Sequence, residues 1–330
     1  MAASSHRLKI IISMLIGLGF LAWTLWNVDF SAMGTALAEA NYWILLPIVA
    51  MIFTSHWLRA LRWQYLLDPV KHVKVGSLFN ALIIGYMVNT FMPAHLGEVV
   101  RAYILGKRED VSATRTFSTI VVERIIDMFS FLLLMALAIL LYPFPEWVTQ
   151  GGYWMFLGTM LLFAFLILLK INTRLAFRIV GFFLTPFPQK IKTKVNDLLE
   201  AFISGINGLN GLKYYLLLLL TSVSIWVCYG GVLYLAFFMF NLKLGILAAL
   251  VLLVITTVGV VVPNSPGYVG TYHKLCQLGL SMFGISAAMG ASFAIIAHAI
   301  NFVPVLILGL IFMTRAGLSL GTLKSREAME

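Results

Sequence analysis

Apolar residues run through this chain in long stretches rather than in alternation or short bursts. A helix needs about 20 of them to cross the roughly 30 Å hydrocarbon layer of a bilayer. Stretches of that kind occupy Leu8–Asn27, Tyr42–Leu67, Phe117–Tyr142, Tyr153–Lys170, Tyr214–Phe240 and Met289–Thr314, predicting six membrane-spanning helices. Two further apolar regions, about Val75–Leu105 and Leu244–Gly284, are broken in the middle by Pro, Gly and polar residues around Pro93 and Pro263. Between the two series lies a basic segment, Asn172–Leu212, with a turn at Pro186 and Pro188. In it Val195, Leu198, Leu199, Phe202, Ile203 and Ile206 recur at helical spacing. That pattern predicts an amphipathic helix, either lying on the membrane surface or packed on the end of the bundle. Ala36-Leu37-Ala38 has the small-x-small form of a signal cleavage site, but it lies too far beyond the first apolar run, so that span is expected to stay uncleaved.

Composition agrees with the pattern. The 330 residues are 61% hydrophobic and 11% charged, with a mean hydropathy of +0.96. Soluble domains sit near 25% charged, and no window of domain length here approaches that. A disordered chain, a nucleic-acid-binding protein and a large extramembrane catalytic domain are thereby excluded. The expected fold is an all-α polytopic membrane protein, one membrane domain over residues 1–330. Its first half is about 42–142, its basic linker about 171–213 and its second half about 214–314. Cys228 and Cys276 stand alone within apolar stretches, which suggests neither a disulfide framework nor a zinc site.

The net charge of +10 reports orientation. All of the 23 Lys and Arg except Arg124, Lys243 and Lys274 are assigned to one side of the membrane, Arg59, Arg62 and Arg101 among them. The opposite side holds Asp29, Glu39, Glu146 and Lys243, so the positive-inside rule places both termini in the cytoplasm, with the inner membrane as the expected location. Lys71 and Lys74 then flank Val75–Leu105 on the same side as Lys107 and Arg108, and the region must enter and return as a hairpin. Leu244–Gly284 must do the same from the opposite face. Irregular backbone at membrane depth is tolerated only when buried in protein or lining a cavity.

An internal repeat runs through both regions. Lys74-Val75-Gly76-Ser77-Leu78 precedes Pro93 much as Lys243-Leu244-Gly245-Ile246-Leu247 precedes Pro263. Val111-Ser112-Ala113 resembles Ile285-Ser286-Ala287, and that offset of 174 places Arg124 on His298 and Asp127 on Asn301. Two halves of opposite orientation, with broken helices at matching positions, are the architecture of transporters with a site near mid-membrane.

Ionisable groups inside spans are costly, and each is a functional candidate. Glu123, Arg124 and Asp127 share the third full span, Asp127 near the midplane. Asn89, His95, Gly97, Glu98 and Arg101 surround the first break. Asn264, Ser265, Gly267, Gly270, Thr271, Tyr272 and His273 form the second, whose freed backbone N–H groups suit an anion. His298 and Asn301 complete the set. The carboxylates have a purely structural alternative, neutralising Arg101 and Arg124, and His298 has one as a hydrogen-bonded packing residue. His56 and His72 read as interfacial. No phosphate-binding loop, zinc-protease, nucleophile-elbow or dinucleotide motif is present, and no cofactor or metal is implied.

Asn89-x-x-x-Pro93-x-His95-x-Gly97-Glu98-x-x-Arg101, then Glu123-Arg124-x-x-Asp127, then Pro266-Gly267-Tyr268-Val269-Gly270-Thr271, resembles the lysylphosphatidylglycerol synthase transmembrane family, also called flippase-like domains. Its best-known relative is the flippase module of the bacterial multiple peptide resistance factor, which exposes aminoacylated phosphatidylglycerol on the outer leaflet. His95 stands where the family usually carries Arg, and His273 where many members carry an acid. The resemblance implies a lipid-translocating cavity lined by Glu98, Arg101, Glu123, Arg124 and the Pro266–Thr271 loop, without implying synthase activity. The expected cargo is a phospholipid or polyprenyl-linked glycolipid. Candidate partners are membrane lipids, a second copy of the chain or a lipid-modifying enzyme, with no nucleic acid. A membrane-embedded lipid transferase, a small-solute or ion-coupled transporter and a structural subunit for a glycosyltransferase remain open alternatives.

Overall fold

The computed structural model describes residues 15, 17–26, 28–91, 96–207, 212–261 and 266–317, and among these every regular element is helical. The chain is an all-α polytopic membrane protein. A helical stretch at 17–25 (α1) and the short α2 (Phe30–Ala38) lead into α3 (Leu45–Leu67). There follow α4 (Val75–Phe91), α5 (Leu96–Glu109) and α6 (Ala113–Leu141), then α7 (Glu146–Ile171), α8 (Thr173–Phe183) and α9 (Gln189–Asn207). The second series is α10 (Leu212–Met239), α11 (Ile246–Val261), α12 (Thr271–Ser281) and α13 (Ala287–Arg315).

Among the described residues five helices are long and apolar enough to cross a membrane: Tyr42–Leu67, Ala113–Leu141, Glu146–Leu169, Leu212–Met239 and Ala287–Arg315. They coincide with five of the six expected spans. Of the sixth, Leu8–Asn27, residues 15 and 17–26 are described, and α1 lies in this part. Expected starts move outward where a cap lies upstream of the apolar run. Ser112 accepts from Arg115 N–H and starts α6 ahead of Phe117; Pro145 starts α7 at Glu146, ahead of Tyr153.

The two interrupted regions fold as pairs of shorter helices. Helices α4 and α5 touch through main chain: a Cβ on Gly97 would fall 2.0 Å from the Gly85 carbonyl oxygen, and Gly97 N–H donates to Asn89 Oδ1 at 2.7 Å. Only glycine permits that approach. The residues at the bends, including Pro93, His95, Pro263, Asn264 and Ser265, lie outside the described residues. The ends that flank the bends meet: Gly267 lies against Thr90 at the end of α4, its Cβ position 3.5 Å from the Thr90 carbonyl oxygen.

The order long, short, short, long therefore occurs twice, with lengths of 23, 17, 14 and 29 residues in the first series and 28, 16, 11 and 29 in the second. The closing helices match in length and in cap, Ser286 accepting from Met289 N–H as Ser112 does from Arg115. The long first helices, α3 and α10, pack closely, Gly231 of α10 lying against the Met51 thioether.

The connecting segment holds two helices rather than one. Asn172 accepts from Leu175 N–H at 3.1 Å and starts α8 directly after α7. Leu199 and Ile203 of α9 pack in one apolar cluster with Val121, Val122 and Ile125 of α6, so this amphipathic helix lays part of its apolar face on the bundle.

Candidate functional site

Seven charged side chains converge between α3, α5 and α6. Glu123 and Asp127 sit one turn apart on α6 and face inward, Glu123 fully buried. Asp127 is held by two arginines of α3, Oδ2 2.7 Å from Arg59 Nη1 and Oδ1 2.6 Å from Arg62 Nη2. Glu123 receives Arg101 of α5 at 2.5 Å and Arg124 Nη2 at 2.6 Å, with Arg59 at 3.5 Å and Arg62 at 3.8 Å. Arg124 also lies 3.4 Å from Asp127 Oδ2 and, through Nε, 3.5 Å from Glu98 Oε1. The arginines are fixed from behind as well: Arg59 Nε donates to Tyr229 Oη at 2.8 Å and Arg62 Nη1 to Ser222 Oγ at 3.0 Å. Arg101 stacks on Trp63, 3.6 Å from the ring centroid, while the Trp63 indole N–H is held by Thr119.

The sign of the cluster follows from the count, four guanidinium groups against three carboxylates. Two of its members reach the open side. The Arg124 side chain is 33% exposed and that of Glu98 21%, whereas Arg62 and Glu123 are at 0%. Beside them lies a cavity of about 400 Å³ between α3, α6, α10, α11 and α13. Arg59, Arg124 and Asp127 form its charged wall; Tyr268, Tyr272 and Asn301 come from the second half. Trp226 also lines it, with an Nε1 that has no partner among the described residues. Most of the lining is apolar, with Met128, Phe131, Leu233 and Phe302 among its members; the charged wall carries two guanidinium groups, and its one carboxylate is already held by two arginines of α3. An acceptor-rich ligand such as a phosphate is what such a wall can receive.

The expected residues divide on this geometry. Glu98, Arg101, Glu123, Arg124 and Asp127 come together, and Tyr272 and Asn301 reach the same cavity from the other half. Asn89 and Gly97 serve the α4–α5 contact. His298 donates from Nε2 to the Gly267 carbonyl at 2.7 Å and stacks on Phe302, while Gly270 N–H donates to Nδ1 of His273 at 3.2 Å. Of the backbone N–H groups at the second break that were expected to suit an anion, that of Gly270 is thus used internally. A Cβ on Gly270 would meet the Gly17 carbonyl of α1, and Thr271 Oγ1 is buried without a partner among the described residues. His95, Asn264 and Ser265 lie outside the described residues. Among the described residues no group of His, Cys, Asp and Glu forms a metal site.

Sequence reasoning missed Arg59 and Arg62, assigning them with Arg101 to cytoplasmic loops. All three are buried and paired. His56 is likewise buried, against Tyr86, rather than interfacial, whereas His72 is exposed and paired with Asp68.

Comparison with known proteins bears on the same elements. Residues 10–309 match the family model described as the lysylphosphatidylglycerol synthase TM region. The chain belongs to that family. It is 25% identical over 283 residues to a UPF0104 membrane protein of Methanothermobacter thermautotrophicus, covering 81% of this chain and 83% of that one. A UPF0104 membrane protein of Methanocaldococcus jannaschii is 22% identical over 285 residues, covering 82% and 84%. A shorter match, 29% over 126 residues, is to the glycosyltransferase AglD of Haloferax volcanii, covering 38% of this chain and 20% of that protein.

Proposed function

We propose that this chain is a lipid translocase, carrying the polar headgroup of a phosphate-bearing lipid through the cavity beside Arg124. The observation that carries the reading is the buried cluster with one positive charge in excess among the described residues, which forms one wall of that cavity through Arg59, Arg124 and Asp127, with Glu98 paired to Arg124 beside it. A headgroup crosses hydrocarbon only where protein groups replace its water. Arg124 and Arg59 supply donors for a phosphate, and Glu98, paired with Arg124 and partly exposed, supplies an acceptor for a cationic or hydroxylated part of the headgroup as it enters. The cargo is a phospholipid or a polyprenyl-linked glycolipid, and the partial likeness to a glycosyltransferase supports the second form. The expected setting is the cytoplasmic membrane with both termini inside, because Lys71, Lys74, Lys107, Arg108 and Arg115 keep the charge bias after the three buried arginines are set aside.

The test uses proteoliposomes with a labelled lipid in one leaflet. Arg124→Ala and Glu98→Gln are expected to abolish leaflet exchange while the protein stays folded and monodisperse, since both residues are partly exposed. Wild-type exchange in both variants would exclude this cavity as the route. Chemical turnover of the lipid by the purified protein would favour the transferase reading instead.

A further inference from the structure

Helix α7 belongs to neither of the matched four-helix series. It packs against α6, α8 and α11, and its sequence places Gly151, Trp154, Gly158 and Leu162 along one side at helical spacing. That side is the wall of a groove of about 500 Å³, closed by Met128 of α6 and Val258 of α11 and lined almost entirely by apolar surface. Gly151 is in contact with Val258, so its lack of a side chain serves packing. Gly158 has a different character, since a Cβ there would meet nothing within 4 Å. Glycine in a membrane helix is ordinarily explained by the close approach of a neighbouring helix. At Gly158 no group of the described residues occupies the space that the missing side chain leaves.

The groove is not isolated. Met128 and Met155 line both it and the cavity beside Arg124, so the two spaces adjoin across a pair of flexible thioether side chains. From Gly151 to Leu162 the wall extends about 16 Å at 1.5 Å per residue, close to half of the roughly 30 Å hydrocarbon layer. That is the depth occupied by the chain of a lipid in one leaflet.

We propose that the α6–α7–α11 groove holds a hydrocarbon chain of the same lipid whose headgroup enters the cavity beside Arg124. The inference rests on the translocation reading and adds to it a defined track for the tail. A track of this kind keeps the apolar chain beside its own headgroup during passage, and Met128 and Met155 form the divide between the two compartments. Bulk lipid covering an irregular surface is the alternative occupant.

Three measurements on reconstituted full-length protein test it. Leaflet exchange of a fluorescent long-chain phosphatidylglycerol is compared for wild type, Gly158→Leu, Gly158→Trp and Arg124→Ala, with thermal unfolding of each. The open space at Gly158 predicts that the leucine variant keeps the wild-type unfolding temperature. Its exchange is expected to fall by about tenfold or more, the loss that follows when only two or so methylenes leave an apolar site. A phosphatidylglycerol with a diazirine midway along one chain is expected to label Met128, Met155 or Trp154 when irradiated. Wild-type exchange in both Gly158 variants with no exchange in Arg124→Ala would overturn the tail track and leave the headgroup site standing. Unchanged exchange in Arg124→Ala would remove the headgroup site and the track together. Labelling spread over the outer faces of α10 and α13, with none in the groove, would assign the groove to bulk lipid.

Discussion

At the scale of single residues, the arrangement around Glu123 and Asp127 separates what holds the site from what is open to a ligand. Asp127 is gripped by Arg59 and Arg62 at 2.7 and 2.6 Å and is largely buried, only an edge of it reaching the cavity. Removing one partner from a buried charge network leaves the other charges uncompensated, which costs about 3–5 kcal/mol. Asp127→Asn is therefore expected to lower the unfolding temperature in detergent markedly and to lose protein. Glu98→Gln breaks only a 3.5 Å, partly exposed pair, worth about 1 kcal/mol or less, and is expected to unfold close to wild type. Equal destabilisation in the two variants would refute the division. Arg59 and Arg62 were illegible in the sequence as site residues because they fall near the end of an apolar run and so count naturally as loop charges. A signal was present. Trp63, Leu66 and Leu67 continue the apolar pattern beyond them, and the three-residue spacing puts both guanidinium groups on one face of the helix. Glu123 and Asp127 were legible because a carboxylate pair in the middle of a 29-residue apolar helix has no other explanation than a buried partner.

At the scale of elements, the sequence marks helix breaks more clearly than helix contacts. Pro and Gly clusters marked both interruptions, whereas α6 and α13, expected from Phe117 and Met289, begin earlier, at the Ser-Ala pairs of the repeat, where a side-chain oxygen satisfies an otherwise free N–H. Ser112→Ala and Ser286→Ala are each expected to cost about 1 kcal/mol, seen as similar small drops in unfolding temperature. Helix α8 was not legible: its short amphipathic stretch follows α7 with no intervening Pro or Gly, and only the Asn172 side chain marks the new start. The α4–α5 contact makes a sharper prediction. Gly97→Ala would set a methyl group 2.0 Å from the Gly85 carbonyl oxygen, a clash with main chain that no side-chain rotation relieves. Overpacking of that kind costs about 1–3 kcal/mol and often more. Gly97→Ala is expected to yield little folded protein, whereas Gly76→Ala, where a Cβ meets nothing within 4 Å, is expected to unfold as wild type does.

At the scale of the whole molecule, the two series meet along α3 and α10 and again where the two broken regions touch, and on the proposed translocation the second contact is the one beside the cavity. The end of α4 and the start of the second break touch at Thr90 and Gly267, one from each series, and the cavity with Arg124 on one wall and Tyr268 on the other lies beside them. Alternating exposure of a site between repeats requires those ends to separate or slide, because rigid packing on both sides would leave one route permanently closed. Fixing the contact should therefore stop transport without unfolding the protein. A Cβ at 267 would lie 3.6 Å from the Thr90 Cγ2 atom, which hangs on the Thr90 Cβ as a cysteine sulfur would, so side chains at 90 and 267 are near enough for a cross-link to be tried. The backbone at Gly267 is left-handed, with φ +64, so a cysteine there costs about 1–2 kcal/mol, which a large apolar core absorbs. The double variant Thr90→Cys, Gly267→Cys is expected to exchange lipid normally under reducing conditions, to lose exchange when oxidised and to recover it on reduction. Cys228 and Cys276 are buried and serve as the internal control, since the parent carrying only these two should show no response to oxidant. Full exchange by the oxidised, quantitatively cross-linked protein would mean that the ends stay together throughout the cycle. The moving part would then have to be sought elsewhere, with α7 and the groove it forms against α6 and α11 as the next place to look.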